Sequence, residues 1–226
     1  MPRPARWCAP TPMPARFAVR SVPERRELLL RVYEDWDAPA LFEGVDSSRG
    51  TLHPWLPWAR EQHRSAQASL DSIRLMARAR ENVLDPELGA TMGFVVGIFD
   101  ARTAELLGGT GFNRVDAVMG NAETGYWLNE RVRGEGVATR ACAAMISWLF
   151  TDQSSGGFGF RRVHIFASAA NTPSCAIPER LGLRQSQHTR LDRWIDGMGY
   201  TDTLGWDVLR EEWDLPGQRL RPAARS

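Results

Sequence analysis

Between Arg131 and Thr139 the chain reads Arg-Val-Arg-Gly-Glu-Gly-Val-Ala-Thr, a glycine turn that runs into an apolar-periodic segment. A strand-like run, Glu123-Thr124-Gly125-Tyr126-Trp127-Leu128, lies just before it. A strand, a glycine turn and a helix start in that order make an anion cradle. Backbone N–H groups at a helix N-terminus have no intrahelical partners, and the helix dipole favours negative charge there. Glycines let the backbone approach a ligand with no Cβ in the way. The chemistry this predicts is the holding of a phosphorylated ligand. The competing reading is an ordinary strand-to-helix turn.

Two familiar phosphate motifs fit poorly. A P-loop needs G-x-x-x-x-G-K-[ST], and the chain contains no lysine; its 28 basic residues are all arginines. A dinucleotide fingerprint needs a third glycine where Thr139 stands.

A second block follows the strand-like run Arg162–Ala167. It reads Asn171-Thr172-Pro173-Ser174-Cys175-Ala176-Ile177-Pro178-Glu179-Arg180-Leu181-Gly182-Leu183. Upstream lie Glu27-Leu28-Leu29-Leu30-Arg31 and Trp55-Leu56-Pro57-Trp58. Arg-x-x-Gly-x-Gly followed by Val-Ala-Thr resembles the pyrophosphate-binding motif of the GNAT acetyltransferases, and the second block is similar to their asparagine-bearing segment. The Trp-Leu-Pro-Trp run and the Leu28 strand resemble the branch that acetylates ribosomal-protein N-termini, the Leu28 run matching that branch's first strand. The resemblance spans about residues 22–214.

The resemblance implies acetyl-CoA-dependent transfer of an acetyl group to a primary amine, foremost a protein or peptide N-terminus, by direct attack in a ternary complex. Two alternatives stay open: a small-molecule amine as acceptor, and a non-catalytic acyl-CoA-binding module. No metal is implied. Residues Arg131, Arg133, Gly134, Glu135, Gly136, Val137, Ala138 and Thr139 would hold the cofactor, with backbone N–H groups of Gly134, Gly136 and Val137 on the pyrophosphate. Arg131 is equally readable as part of a solvated loop face. Backbone N–H groups near Tyr126, Trp127 and Leu128 would polarise the thioester, where the family's strand splays from its neighbour. Asn171 matches the position that bonds the pantetheine arm; as a plain N-cap it would serve the helix instead.

Many family members use a tyrosine as acid seven residues after the asparagine, and here that position is Pro178, which has no proton to give. Ser174, three after Asn171, is similar to the serine of the ribosomal-protein branch. Pro178 would also remove the helical bond to the Ser174 carbonyl. The other reading of Ser174 is a first-turn serine serving helix N–H groups. Glu123 matches a family position facing the amine and is the candidate base; its alternative is an exposed strand-end carboxylate. The branch's glutamate on the penultimate strand is missing from Leu191-Asp192-Arg193-Trp194, which leaves Asp192 as fallback. Trp55 and Trp58, with His53, would wall the acceptor pocket, against a core-packing role for Trp58.

These residues need a scaffold. At 226 residues the length suits one domain, and 43% hydrophobic residues suit a packed core. Strands are expected at 28–32, 92–99, 106–112, 162–167, 186–195 and 203–208. Helices are expected from Pro39 to Glu43 behind an Asp37 cap, from 65 to 82, from Val137 with Ala141, Met145, Trp148 and Leu149 on one face, and from Thr172 to Leu181. Residues 154–159 read as a flexible loop. The glycines of 106–112 predict close approach by another segment or a ligand. The expected architecture is α+β: a mixed, mostly antiparallel central sheet with helices on both faces. Residues 1–16, rich in proline and arginine, read as a disordered tail, 17–214 as the domain and 215–226 as a polar tail; Met13 is an alternative start to Met1.

A net charge of +1 with no charge block argues against nucleic acid. No apolar run reaches the about 18 residues of a membrane span. Three cysteines (Cys8, Cys142 and Cys175) are an odd number, fitting reduced thiols and a cytoplasmic location. His63, His164 and His188 lack metal-ligand spacing. Exposed strand edges would permit a homodimer as readily as a monomer.

Overall fold

The computed structural model describes residues 16–19, 25–81, 93–116 and 118–213. One eight-stranded sheet organises the chain, in the order β1-β2-β3-β4-β5-β6-β8-β7. The strands are β1 (Arg16–Ala18), β2 (Leu28–Arg31), β3 (Phe94–Asp100), β4 (Leu106–Asp116), β5 (Asn121–Leu128), β6 (Arg162–Ser168), β7 (Arg184–Ile195) and β8 (Gly199–Leu209). Every neighbouring pair is antiparallel except β5 and β6. The helices are α1 (Ala38–Leu52), α2 (Trp58–Glu61), α3 (Ala66–Glu81), α4 (Val137–Phe150) and α5 (Thr172–Arg180). The expected α+β architecture is the observed one.

Side-chain alternation along the strands feeds two cores. Leu30, Val96, Ile98, Ile165 and Trp206 pack against α4 and α5. Tyr33, Phe99 and Trp127 pack against α1 and α3 on the opposite face. In β5, Ala122, Tyr126 and Leu128 face the first core and Trp127 the second. Glu123 therefore shares the α1/α3 side with Trp127.

Several expectations needed correction. The helix entered at Ala38 does not stop at Glu43 but runs to Leu52. Leu41, Val45, Ser48 and Leu52 form one buried stripe that carries the helix past Gly44 and Gly50. Gly44 is there for space: a Cβ would meet Asn129 Oδ1 at 2.7 Å. Asp37 places no side-chain cap on this helix; its carboxylate instead makes a fork with Arg31, at 2.6 and 2.8 Å. The short α2 and the strand β1 were not foreseen, and β1 makes Leu28–Arg31 the second strand instead of the first. Arg16, where the tail was expected to end, begins β1; residues 1–15 and 214–226, Met13 included, lie outside the described residues.

The segment expected as a flexible loop is exposed only at residues 154–156 and turns into the core at residues 157–159. A 3-10 turn, Gln153–Ser155, leads into buried Phe158 and Phe160. Phe158 meets Phe112 and Trp148 edge-on, each at 4.9 Å between centroids. Glycine and serine density masked two aromatic anchors. The close approaches expected at the β4 glycines come from protein: a Cβ on Gly108 or Gly111 would lie 2.2 Å from the Trp127 carbonyl or 2.1 Å from that of Phe94.

Candidate active site

β5 and β6 begin as a parallel pair and then part. Their register runs Asn121 to Arg162, Ala122 to Val163 and Glu123 to His164, and stops there. β5 stays on β4 through Leu128, and β6 stays on β8 through Ser168. A V opens between residues 124–128 and 165–168, with Glu123 at its vertex. The splay expected near Tyr126–Leu128 is present. A parallel pair that parts leaves the facing edge of β5 with backbone groups free of a partner strand.

At the open end of the V stands the glycine turn. After Leu128 the chain makes a 3-10 turn, Glu130–Val132, and enters α4 through Gly136. Gly134 and Gly136 have φ of +82° and +74°, a left-handed geometry that costs an L-residue about 1–2 kcal/mol. Among the described residues, the backbone N–H groups of residues 134–139 have no backbone acceptor. They form a row of donors at the positive end of α4. The turn is braced by α1: Ser48 Oγ accepts from the Glu130 N–H at 3.1 Å, and Asn129 packs on Gly44.

The charged side chains of the turn are engaged elsewhere. Arg131 pairs with Glu105 at 2.8 Å, and Arg133 donates to Thr51 Oγ1 at 2.8 Å. Glu135 is drawn aside by Arg26, 3.2 Å away, which also holds Asp100 and Glu105. The arginine that reaches the cradle is one the sequence reading missed. Arg25 donates to the Glu135 carbonyl at 2.9 Å, and its Nη1 would lie 3.5 Å from a Cβ on Gly136. The 110 positions between Arg25 and Glu135 left no local signal. Val137, Ala138 and Thr139 are buried, so only their backbone can serve a ligand.

On the other arm of the V, β6 ends and α5 begins at Asn171. The Asn171 Oδ1 accepts from the Ser174 N–H at 3.4 Å, a long cap, while the Asn171 carbonyl takes the same N–H at 3.0 Å. Ser174 is half-buried, and Tyr126 Oη of β5 donates to its carbonyl at 3.0 Å. Burial drives the Tyr126 phenol far above its ordinary pKa. Cys175 is buried, with its thiol pushed up by burial and turned to the Ser168 carbonyl.

At the vertex, Glu123 accepts from Arg114 at 3.0 Å, and its side chain is 20% exposed. Burial raises its pKa, against the opposing pull of Arg114 and Arg193. Asp192 is exposed, in an irregular stretch of β7 between Thr189 and Arg193. Leu191 there has a φ of +49° and donates its N–H to Asp202.

The two tryptophans expected at the acceptor wall separate. Trp58 packs edge-on against Trp127, 6.1 Å between centroids, and joins the second core. Trp55 sits half-buried in the turn after α1. Neither lines the cleft of about 150 Å³ between this segment and the β7–β8 hairpin. His53, Pro54, Pro57, Arg60, Trp194 and Asp196 line it, and an Arg60–Asp196 ion pair spans it. Trp194 lay in the quoted Leu-Asp-Arg-Trp stretch without being assigned a role. Among the described residues no cluster of His, Cys, Asp or Glu could hold a metal, and no helix is long and apolar enough to cross a membrane.

The arrangement sets a row of free N–H donors beside a gap between strands, with Ser174 on one side of the sheet and the half-buried Glu123 on the other. Known proteins share the fold and part of the sequence. YdaF of Bacillus subtilis (strain 168), a candidate ribosomal N-acetyltransferase, is 28% identical over 187 residues, covering 83% of this chain and 93% of its own. A crystal structure of a candidate acetyltransferase is 27% identical and superposes with a TM-score of 0.69, over 86% of this chain and 98% of its own. RimJ of Mycobacterium smegmatis, solved with CoA-disulfide, has the same fold at 20% identity, with a TM-score of 0.76 over 93% of each chain. Residues 27–184 match the model of the acetyltransferase (GNAT) domain, and by that match the chain belongs to the GNAT acetyltransferases.

Proposed function

We propose that this acetyltransferase moves the acetyl group of acetyl-CoA to the α-amine of a protein or peptide N-terminus, of the ribosomal-protein type, in the cytoplasm. The observation that carries the proposal is the V between β5 and β6. Its open end joins the row of N–H donors at residues 134–139 to Ser174 on one side of the sheet, and its vertex holds Glu123 on the other. A thioester drawn in from the α4/α5 side would meet an amine arriving from the α1/α3 side. The kinship with YdaF, described as a candidate ribosomal N-acetyltransferase, supports an acceptor of the ribosomal-protein type, and the CoA-disulfide bound by RimJ supports the cofactor.

In this reading the N–H groups of Gly134, Gly136 and Val137 hold the pyrophosphate, and Asn171 bonds the pantetheine arm. Free N–H groups of β5 near Tyr126–Leu128 polarise the thioester carbonyl. The amine nitrogen attacks the carbonyl carbon, its proton passes to Glu123, and the carbon–sulfur bond breaks. The sulfur takes a proton from Ser174 or from a water held by it. Glu123 returns its proton to solvent and Ser174, or its water, takes one back, so the net change moves one proton from nitrogen to sulfur. A raised pKa suits Glu123 to this task near neutrality, and an α-amine of pKa about 8 needs only a weak base. The exposed Asp192 is less suited. The acceptor approaches along the cleft lined by His53, Pro57 and Trp194.

Calorimetric titration with acetyl-CoA and CoA, against dephospho-CoA and NAD, tests the cofactor. Micromolar binding of acetyl-CoA and CoA, with much weaker binding of the controls, is expected. Mass spectrometry of acetylation on free-N-terminal peptides, beside polyamines and amino acids, then tests the acceptor. Transfer to small amines alone would overturn the N-terminal assignment.

A further inference from the structure

Pro178 lies inside α5, and no role so far explains it. In an α-helix the N–H of residue i serves the carbonyl of residue i−4. Proline has no N–H, so Pro178 leaves the Ser174 carbonyl without its helical donor. The donor comes from the sheet. Tyr126 Oη, 48 residues upstream, donates to that carbonyl at 3.0 Å. The same oxygen accepts from Ser174 Oγ at 3.3 Å.

A phenol has one proton. Tyr126 spends it on the carbonyl, so it meets the Ser174 hydroxyl only as an acceptor. Ser174 Oγ is thereby held in the rotamer beside the splayed half of β5. When negative charge develops on a sulfur in the V, the Ser174 hydrogen needs only to swing from Oη to that sulfur. The buried phenol stays neutral and sets no competing negative charge beside it.

We infer that Tyr126 is a positioning residue for Ser174: its hydroxyl replaces the helical donor that Pro178 lacks and, through the same oxygen, holds the serine hydroxyl at the gap between β5 and β6. The inference rests on the reading of Ser174 as the sulfur's proton donor.

The test is steady-state kinetics with calorimetry and thermal melting on Tyr126→Phe, Ser174→Ala, their double variant and Tyr126→Phe with Pro178→Ala. Tyr126→Phe should lower kcat about tenfold, leave the Kd of acetyl-CoA within about twofold and lower Tm. In the Ser174→Ala background it should change kcat by less than about twofold, because the hydroxyl to be positioned is gone. Pro178→Ala restores an N–H for the carbonyl. It should return the lost Tm while kcat stays low.

Three outcomes would overturn the inference, and they differ from one another. Multiplying losses in the double variant would mean that Tyr126 acts independently of Ser174. Recovery of kcat along with Tm in the Pro178→Ala background would mean that Tyr126 serves the carbonyl alone. Unchanged turnover in Ser174→Ala would remove the proton-donor reading itself.

Discussion

The cradle and the Tyr126–Ser174 corner face the same gap, and they are built in opposite ways. The cradle is contiguous: six successive N–H groups, from 134 to 139, at one helix start. Its chemistry is carried by the backbone, and the side chains matter mainly through two positive φ angles. The corner is discontiguous. It joins a strand residue to a helix residue 48 positions later, and its chemistry is carried by side-chain hydroxyls. A backbone site tolerates side-chain change except where conformation or charge intervenes. A side-chain site fails when one atom is removed.

That contrast gives the largest predicted effect. Gly134 has open space around an added Cβ but a φ of +82°. Gly134→Ala should cost about 1–2 kcal/mol of stability from backbone strain and leave CoA affinity within a few-fold. Gly134→Glu fits the same space and sets a carboxylate among the donors. It should weaken CoA binding by about 100-fold or more, or about 3 kcal/mol. Calorimetry on both variants checks this. Equal losses from Ala and Glu would mean that strain, not charge, governs the cradle.

The next effect is on the side-chain chemistry at the vertex. Glu123→Gln keeps the shape and removes the proposed base, so kcat/KM at neutral pH should fall about 100-fold with CoA affinity unchanged. The pH profile supplies the sharper reading. A base works deprotonated, and burial raises the Glu123 pKa above its ordinary 4.5. The acid limb of kcat/KM should therefore lie above that value and vanish in Glu123→Gln. Arg114 holds the carboxylate ionised, so Arg114→Ala should move the limb to higher pH. A limb unmoved by either substitution would exclude Glu123 as the base.

The same contrast explains what could be read in the sequence. The strand, glycine turn and helix of residues 123–139 were legible because their chemistry depends on neighbours in the chain. The buried face of α4 was legible from its period. The far end of α1 was not legible: the helix runs on through Gly44, and what that glycine makes room for, the Asn129 side chain, arrives from a distant loop. Phe158 and Phe160 were lost in a glycine-serine stretch because loop composition says nothing of the aromatic cluster beneath. Pro178 was half legible. The sequence foretold an orphaned carbonyl at Ser174, and only the fold could supply Tyr126 as its donor.

The smallest effect concerns the residue that breaks the contrast. Arg25 is a side chain from a distant segment placed over a backbone site. Its guanidinium is exposed, so water and salt screen whatever it contributes. If it recruits a phosphate, Arg25→Ala should weaken CoA binding about fivefold, or about 1 kcal/mol, and flatten the dependence of affinity on salt. If its bond to the Glu135 carbonyl holds it where the phosphate must lie, the same substitution should tighten binding. Recruitment is the expected result. The bond uses a carbonyl and leaves the N–H groups of the turn unengaged, so the charge stands beside the donors without consuming them. Calorimetry at two salt concentrations decides between the signs. A tighter complex would make Arg25 a competitor for the cradle, and the site would then depend on a segment 110 positions away.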